Sequence, residues 1–355
     1  MTKLTGVKSV DFKVVAEGEG VVNWNGSFSL YSESAGQTVN NHALPKMRGV
    51  DPMRLKSLRS PELEKAKLFV SQNCIRSALF KNESTNLKSV DSQNVGRVIC
   101  SILGLVRGYV IADKITKLSL KRKSALLLED FVDSTNILRY EQFANGGERN
   151  ETSIFSKSNV DSTKYEAFGS ISVEDLQFIV LEDSFNRSSY SDIISLEQGH
   201  EVEKNMNNFL ETLAIGTDKK PAVVFNKNYV RVGGITNDGE AGLLMNNDAI
   251  ELVVKEILER IENLFIKQSK GYLTVTSLAV DYNDGQAMRI KRDLQAISQD
   301  NKQFAIYYAP KEMTEKEFVA KMDSIKSAKD GQKAKKAAKT IKPVVAVESS
   351  NDASE

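Results

Sequence analysis

The stretch VKSVDFKVVA, residues 7–16, alternates apolar and polar side chains along most of its length. Val10, Phe12 and Val14 share one side of an extended chain, because successive side chains of a strand point to opposite faces. Polar residues, among them Asp11 and Lys13, occupy the other side. The stretch therefore predicts a half-buried β-strand, and the elements that follow it decide the fold class.

Five further elements follow this strand. A helix is predicted after Ser71, a favourable N-cap residue, because Ile75 and Leu79 then fall on one helical face. A strand, a second strand, a helix and a third strand are predicted from apolar patterns at residues 126–132, 165–181, 202–213 and 223–233. The order strand, helix, strand, strand, helix, strand is typical of a ferredoxin-like or RRM-like α+β fold.

Two long segments interrupt this order. Residues 18–59 are rich in Gly, Asn and Ser and include Pro45 and Pro52. The segment is too long for a plain connection, so we expect an insertion with small strands of its own. Residues 134–164 are a second insertion of similar composition, which is either disordered or functional.

The chain continues beyond this core. Residues 247–265 predict an amphipathic helix, with Glu251 and Lys255 one turn apart on its polar side. Residues 271–280 and 288–292 predict a terminal hairpin around the turn Asn283-Asp284-Gly285. Residues 324–355 contain many Lys, Ala and Ser without apolar periodicity, so we expect a disordered or loosely helical tail.

The overall composition is that of an ordinary folded protein. Hydrophobic residues make up 41% and charged residues 27%, and 48 Lys and Arg against 47 Asp and Glu leave a net charge of +1. Any surface for a polyanion must therefore arise from local segregation of charge. We predict no signal peptide, and no apolar run is long enough to span a membrane. A disulfide between Cys74 and Cys100 is not expected, which favours the cytoplasm.

The sequence offers little for catalysis. Its two histidines, His42 and His200, lack the spacing of metal ligands, and the phosphate-binding loop, dinucleotide-binding and nucleophile-elbow motifs do not occur. Asp51 is the one acid worth considering as a catalyst, because it follows a basic loop, although Asp-Pro also favours a simple turn. We predict a protein that is not an enzyme and has no metal or cofactor.

Basic residues occur among amide and aromatic groups at several places in the sequence. Each of these places is typical of contact with phosphates or bases, but it is equally compatible with an ordinary structural role. Lys46 and Arg48 fall on one side of an extended segment, and the helix start after Ser71 is a natural phosphate site. The candidates are Lys46 and Arg48; Gln72, Asn73 and Arg76; Arg149, Phe155 and Lys157 in the second insertion; and Lys267, Lys270, Arg289, Lys291 and Arg292 near the predicted hairpin.

Taken in order, several stretches resemble the Cas-seven backbone subunits of CRISPR surveillance complexes, and most closely those of the variant type I-F system. The stretches are VVNWNG (21–26), NHALPKMRG (41–49), SQNCIR (71–76), LLLEDFV (126–132), FSK (155–157), FGSIS (168–172), NYVR (228–231), DYND (281–284) and MRIKRD (288–293). The resemblance covers the chain to about Pro310.

This resemblance implies a palm with two insertions. Residues 1–17, 60–133 and 165–323 would form the RRM-like palm with its C-terminal helix and β-hairpin, residues 18–59 the fingers, and residues 134–164 the thumb. The RNA-binding residues would be the candidates above together with Arg231, with Phe155 as a wedge between bases.

The resemblance also implies partners. Copies of the chain would bind one crRNA as a helical filament, which pairs with target DNA. A crRNA-processing endonuclease, a subunit that caps the 5′ end of the guide, and a recruited helicase–nuclease would complete this antiviral complex. The alternatives are a stand-alone RRM-like RNA-binding protein and an RNA-cleaving backbone subunit of type III character that uses Asp51.

Overall fold

The computed structural model describes most of the chain between residues 4 and 340. The described residues are 4–32, 37–51, 66–83, 94–112, 119–135, 139–145, 153–159, 162–185, 187, 189–191, 193–235, 238–269, 271–285, 287–293 and 303–340. At residues 26–43, 119, 139–145, 153–159 and 332–340 the description covers the backbone alone.

The strands in chain order are β1 (Ser9–Gly20), β2 (Trp24–Ser32), β3 (Gln37–Pro45), β4 (Met47–Arg48), β5 (Lys67–Val70), β6 (Tyr109–Ala112), β7 (Ser119–Arg122), β8 (Leu126–Leu128), β9 (Phe131–Asp133), β10 (Arg139–Asn145), β11 (Ser153–Asn159), β12 (Ser162–Ser172), β13 (Phe178–Val180), β14 (Val223–Arg231), β15 (Glu240–Met245), β16 (Phe265–Gln268), β17 (Gly271–Asn283) and β18 (Tyr308–Pro310). The helices are α1 (Gln72–Leu79), α2 (Val95–Ile99), α3 (Val173–Gln177), α4 (Leu196–Ala214), α5 (Asn247–Glu262), α6 (Arg289–Arg292) and α7 (Glu315–Thr340), with a π-helix at Leu103–Arg107. None of the described helices is long and apolar enough to cross a membrane.

The predicted first strand is confirmed, and it lies at the centre of the large sheet. That sheet has the order β16-β17-β1-β12-β9-β5-β4, and β8 also pairs with β12. β1 is antiparallel to β12 on one side and to β17 on the other. Phe12 and Val14 on one face of β1 have no exposed surface, and Val253 and Ile257 of α5 lie in the same core.

The prediction that residues 223–233 provide the last strand of this core is wrong. β14 lies in a second sheet, of order β13-β15-β14-β18, and β17 takes the place beside β1. The helix predicted to precede that strand, α4, packs on β14, whereas α5 packs on β17. Both segments have strand-like patterns, so the choice between them depends on contacts that are distant in sequence.

The predicted terminal hairpin is also wrong in its pairing. β17 pairs with β16, which precedes it, and the residues predicted as the second arm form the single turn of α6. Met288 has a φ of 58°, so the chain changes direction immediately before that turn. Charged residues that an extended strand would have placed on one face are therefore arranged around a helical turn.

The two insertions contain hairpins. β2 pairs with β3 in the first insertion, and β10 pairs with β11 in the second. β11 lies in contact with β3, so the two hairpins approach each other.

The Lys-rich tail is helical as far as the structure describes it. α7 begins before the predicted start of the tail and continues to Thr340. Phe318 and Met322 are buried, at 1% and 4% exposure, and Lys321 Nζ lies 2.9 Å from Glu182 Oε1. Lys329 pairs with Asp183 about two turns further along. Apolar burial and two ion pairs therefore fix the first half of α7 to the domain.

Two carboxylates face each other inside the large sheet. Asp11 of β1 lies opposite Asp281 of β17, and neither has exposed surface. Arg289 donates from Nε and Nη2 to the two oxygens of Asp281, at 2.9 and 2.6 Å. Asp11 accepts from Ser170 Oγ at 2.6 Å, from Asn283 Nδ2 at 2.7 Å and from the backbone N–H of Arg289 at 2.8 Å. These bonds tie three strands and α6 together.

Arg289→Ala is expected to lower the free energy of unfolding by about 3–5 kcal/mol, because it leaves the buried Asp281 carboxylate without its counter-ion. Urea denaturation followed by circular dichroism measures the change. Lys204→Ala, on an exposed face of α4, is the control and should stay within about 0.5 kcal/mol. An Arg289→Ala protein as stable as the control would contradict a structural role for this arginine.

Deletion of residues 332–355 is expected to leave the thermal unfolding midpoint unchanged, because the buried side chains and ion pairs described for α7 lie at or before Lys329. Deletion of residues 315–355 removes Phe318 and Met322 from the core and leaves the buried Glu182 without Lys321. The longer deletion should therefore lower the midpoint by several degrees or prevent folding. Equal midpoints for the two truncated proteins would show that α7 does not stabilise the domain.

Candidate nucleic-acid interface

One face of the large sheet is not covered by the core. Strand alternation and register place a shared set of side chains on it, namely Lys13 and Val15 of β1, Glu166 and Phe168 of β12, Val132 of β9, Phe69 of β5 and Arg48 of β4. Each is partly or fully exposed. We call this surface the open face. It combines aromatic rings and cations on the central strands of one sheet.

Phe168 is the centre of the open face. Lys13 Nζ lies 5.8 Å from the centre of its ring and Lys291 Nζ lies 5.3 Å from it. Lys13 is directly opposite Phe168 in the β1–β12 register, and Lys291 reaches the ring from α6. Glu166 pairs with Lys13 at 3.4 Å, and Glu129 pairs with Lys291. A base stacked on this ring would have two cations close by for its phosphates.

A second aromatic and basic group lies across β9 from the first. The Arg48 guanidinium is 5.7 Å from the ring centre of Phe69, and its Nη2 is 2.9 Å from Asp130 Oδ2. The other oxygen of Asp130 accepts from the backbone N–H of Gln72, at 2.8 Å. One carboxylate therefore occupies the position between a guanidinium and the first turn of α1, where a phosphate oxygen would also be favoured.

The start of α1 is built as predicted. Ser71 is the N-cap, and its Oγ accepts from the backbone N–H of Cys74. The backbone N–H of Ser71 donates to Asn23 Oδ1 at 3.0 Å, which fixes the helix to the residue just before β2. Asn73 lies exposed in the first turn.

Lys46 lies beside this helix start. Its backbone N–H donates to Asn23 and its carbonyl accepts from Phe69, so the loop is held between β2 and β5. Burial raises the pKa of the Cys74 thiol, and the charge of Lys46 acts in the opposite direction. Within the described part of the chain, the Lys46 ammonium forms no ion pair.

Arg76 points into the protein. Its Nη1 donates to Ser124 Oγ at 2.9 Å and its Nη2 to the carbonyl of Leu126 at 2.5 Å. Burial and, to a smaller extent, the charge of Arg107 lower its pKa. These bonds hold α1 against the start of β8, so any contact of Arg76 with RNA would use the donors that remain.

Arg231 and Arg289 are both engaged with carboxylates. Arg231 donates from Nε to Glu174 at 2.8 Å and lies on the second sheet, away from the open face. Arg289 completes the buried network described above, and its hydrogen bonds to Asp281 raise its pKa. Their contact with RNA remains a prediction.

The other predicted RNA-binding residues are only partly described. Lys267 lies exposed on β16, at the far edge of the open face, and Arg292 ends α6. Phe155 and Lys157 lie in β11, opposite Phe143 and Glu141, with the backbone alone described. Arg149 and Lys270 lie outside the described residues.

The residues considered for catalysis do not form a cluster in the described part of the chain. His200 pairs with Glu203 at 2.9 Å, and Asp51 lies exposed after β4. No group of three or more His, Cys, Asp or Glu is placed to hold a metal ion within the described ranges. His42 lies in β3, where the backbone alone is described.

Sequence reasoning missed Lys13, Phe69, Phe168 and Asp130. Lys13 and Phe168 lie on opposite strands that are about 150 residues apart in sequence, so only the strand register brings them together. The available signal was Lys13, a charged residue on the polar side of the strand predicted at VKSVDFKVVA. It identifies a cation on an exposed face but not its aromatic neighbour.

The fold and this surface define a mixed helix-and-strand protein built on an antiparallel sheet with one open face of aromatic and basic residues. Residues 6–311 match the family described as "Type I-Fv CRISPR-associated protein Cas7fv-like". The chain belongs to this family, and is thus a Cas7-like CRISPR backbone subunit of a Cascade-type complex. The resemblance inferred from the sequence is confirmed.

Two solved structures are similar at a low level. One is the crystal structure of Csc2 from Thermofilum pendens, which is 10% identical with a TM-score of 0.23 and aligns over 70% of this chain and 71% of that chain. The other is a chain of a CRISPR RNA-guided surveillance complex, pre-nicking, which is 8% identical with a TM-score of 0.25 over 89% and 100%. No curated protein sequence matches the chain.

Asp130→Asn is expected to tighten binding to a short single-stranded RNA about threefold, because it removes the anion that competes with phosphate at Arg48. The amide oxygen can still accept from Gln72, so α1 keeps its first turn. The plot of log affinity against log salt should become steeper by about 0.7, the value for one additional phosphate contact on a single strand. Fluorescence anisotropy at several salt concentrations measures both quantities.

Asp238→Asn is the matched control, since Asp238 is an exposed carboxylate two residues before β15 of the second sheet. If both variants bind RNA as the wild type does, Asp130 does not lie in the phosphate path.

Proposed function

We propose that this chain binds a guide RNA on its open face and that several copies follow one another along that RNA. The observation that carries the proposal is the placement of Lys13 Nζ and Lys291 Nζ at 5.8 and 5.3 Å from the centre of the Phe168 ring. An aromatic ring accepts any base by stacking, and flanking ammonium groups attract the adjoining phosphates. Such a surface binds a strand without reading its sequence.

The large sheet would be the ferredoxin-like palm. β17, β1, β12 and β8 are neighbours in the order that such a palm requires, with α1 after β1 and α5 before β17. The fingers would be the β2–β3 hairpin, and the thumb would be the β10–β11 hairpin. Because β11 contacts β3, a strand leaving the palm would meet both hairpins at one place.

The role in the complex would be that of a scaffold. Sequence specificity would come from base pairing between the crRNA and target DNA, and the chain would hold the RNA backbone so that bases remain available. Each thumb would displace one nucleotide of the guide at regular intervals. Cleavage would be carried out by a separate helicase–nuclease that the assembled complex recruits.

Further partners would complete the assembly in the cytoplasm. A crRNA-processing endonuclease would supply the guide, and another subunit would cap its 5′ end. Lys46, Arg48 and the first turn of α1 would hold phosphates beside the stacked base. The net charge of +1 suits copies packed side by side, since strongly like-charged subunits would repel one another.

Co-expression with a CRISPR array and its processing endonuclease tests the proposal. We expect the purified protein to carry discrete guide RNAs, identified by sequencing, in particles several times the mass of one chain. A monomer that carries mixed cellular RNA would instead indicate a stand-alone RNA-binding protein, and a protein without RNA would refute the proposal.

Phe168→Ala is expected to weaken binding to a short RNA about tenfold, because one stacked base is worth about 1–3 kcal/mol. Fluorescence anisotropy of the RNA measures the change at a fixed salt concentration. Phe185→Ala is the matched control, because Phe185 is 53% exposed and lies beside the second sheet. Equal affinities for the two variants would remove Phe168 from the interface.

A further inference from the structure

The π-helix at Leu103–Arg107 brings one arginine to the surface. Its first four residues are buried, and Arg107 at its end is half-buried. The chain turns directly afterwards at Gly108, which has a φ of 71° and where a Cβ would collide with the carbonyl oxygen of Arg122. The backbone on both sides of Arg107 is therefore fixed. A π-helix is rare and is found frequently at functional sites.

The guanidinium of Arg107 is unused. Within the part of the chain that the structure describes, it forms no hydrogen bond and no ion pair. None of its nitrogens is among the solvent-excluded polar atoms that lack a partner, so each of them is accessible to solvent. A guanidinium has five donors and stays charged at neutral pH, so the whole group can bind an anion that arrives from outside.

Ser124 links the segment that carries Arg107 to Arg76. Its Oγ lies 3.0 Å from the carbonyl oxygen of Val106 and accepts from Arg76 Nη1 at 2.9 Å. The backbone N–H of Ala125 donates to the same carbonyl of Val106, at 3.0 Å. Burial lowers the pKa of Arg76, and the charge of Arg107 lowers it further, as expected for neighbouring cations. We call Arg76 and Arg107 the arginine pair.

The arginine pair has no carboxylate among the residues described. Arg76 donates to a hydroxyl and to a carbonyl oxygen, and both groups are neutral. The acidic residues of adjoining segments are engaged elsewhere, because Glu83 pairs with Arg260 and Asp175 pairs with Lys123. The repulsion within the pair is therefore uncompensated. An anion that reaches both guanidinium groups would remove this repulsion and would accept charge-assisted hydrogen bonds from each.

The arginine pair continues the candidate nucleic-acid interface along α1. Arg76 lies one turn after Gln72 and Asn73, so these side chains are neighbours on the surface of the helix. The carboxylate of Asp130, between Arg48 and the N–H of Gln72, marks the first position favoured by a phosphate. The pair lies about 6 Å further along the axis of α1, at 1.5 Å per residue. A strand with a phosphate at every nucleotide can occupy both positions, whereas one carboxylate side chain of a protein fills a single position.

We propose that Arg76 and Arg107 together bind a phosphate of the guide RNA, next to the phosphate position at the start of α1. Arg107 makes the larger contribution, because all of its donors are unused and arginine matches a phosphate with two parallel hydrogen bonds. This inference rests on the proposed function and deepens it. It adds Arg107 to the RNA-binding residues and specifies a path for the strand along α1.

Arg107→Gln tests the contribution of the charge. We expect the affinity for a short single-stranded RNA to fall about tenfold, because charge-assisted hydrogen bonds are lost. The plot of log affinity against log salt should become shallower by about 0.7, the value for one phosphate contact on a single strand. Arg107→Lys should keep the slope but lose part of the affinity, since the charge remains without the planar donors. Fluorescence anisotropy at several salt concentrations measures both quantities.

Arg97→Gln is the matched control. Arg97 is an exposed arginine of α2, ten residues before Arg107. Its replacement should leave the affinity and the slope unchanged.

Thermal unfolding without RNA separates binding from structural support. Arg107→Gln removes the repulsion from Arg76 and breaks no hydrogen bond, so the unfolding midpoint should equal or exceed that of the wild type. An arginine that mainly supports the fold would give a lower midpoint. Weaker RNA binding together with an unchanged or higher midpoint is therefore the expected result.

Crosslinking tests the position of the RNA directly. In a Cys74→Ala/Cys100→Ala background, Arg107→Cys is mixed at saturating protein with an RNA whose phosphorothioate linkages carry a haloacetyl group. We expect a covalent product of protein and RNA. The Arg97→Cys protein in the same background is the control and should give none.

Three results would overturn the inference. The first is an Arg107→Gln protein that binds the short RNA with the affinity and slope of the wild type, even if its multi-copy particles are lost, since this would assign the pair to a protein contact. The second is weaker binding together with a lower midpoint. The third is equal crosslinking at positions 107 and 97. A wild type that binds no RNA, or a Phe168→Ala protein that binds as strongly as the wild type, would instead count against the proposed function.

Discussion

The pairing of β1 with β17 depends on a buried charge network. Asp11 and Asp281 lie directly opposite each other without exposed surface, and two like charges in this position would separate the strands if they were not compensated. Arg289 provides the compensating charge to Asp281, and its backbone N–H binds Asp11. A slip of either strand by one residue would turn that strand's carboxylate into the apolar core, so the network also fixes the register.

The same network positions the candidate interface. Arg289 begins α6, and Lys291 lies two residues later in the same helical turn. Because the arginine holds α6 against the sheet, the lysine reaches the ring of Phe168 from a fixed direction. Lys13 reaches that ring from β1, whose position depends on the same bonds. The stability of the sheet and the geometry of the open face therefore have one cause, and both should weaken when Arg289 is replaced.

Local patterns predicted individual elements well and their partners poorly. The alternation in VKSVDFKVVA identified β1, and Ser71 identified the start of α1, because both signals lie within a few residues. The choice of β17 over β14 as the neighbour of β1 depends on Arg289, which is 278 residues from Asp11 in sequence. The candidate site shows the same limit. The sequence identifies Arg76 and Arg231 as cations. It does not show that a hydroxyl and a carbonyl already bind Arg76, or that a carboxylate already binds Arg231.

The anchoring of α7 has a consequence for the order in which the domain is completed during synthesis. Glu182 follows β13 and has no exposed surface, yet its partner Lys321 lies 139 residues later in the chain. The carboxylate therefore emerges from the ribosome long before its counter-ion, and its burial is unfavourable until α7 has been made. The part of the domain around Glu182 is thus expected to close only after the C-terminal helix is available.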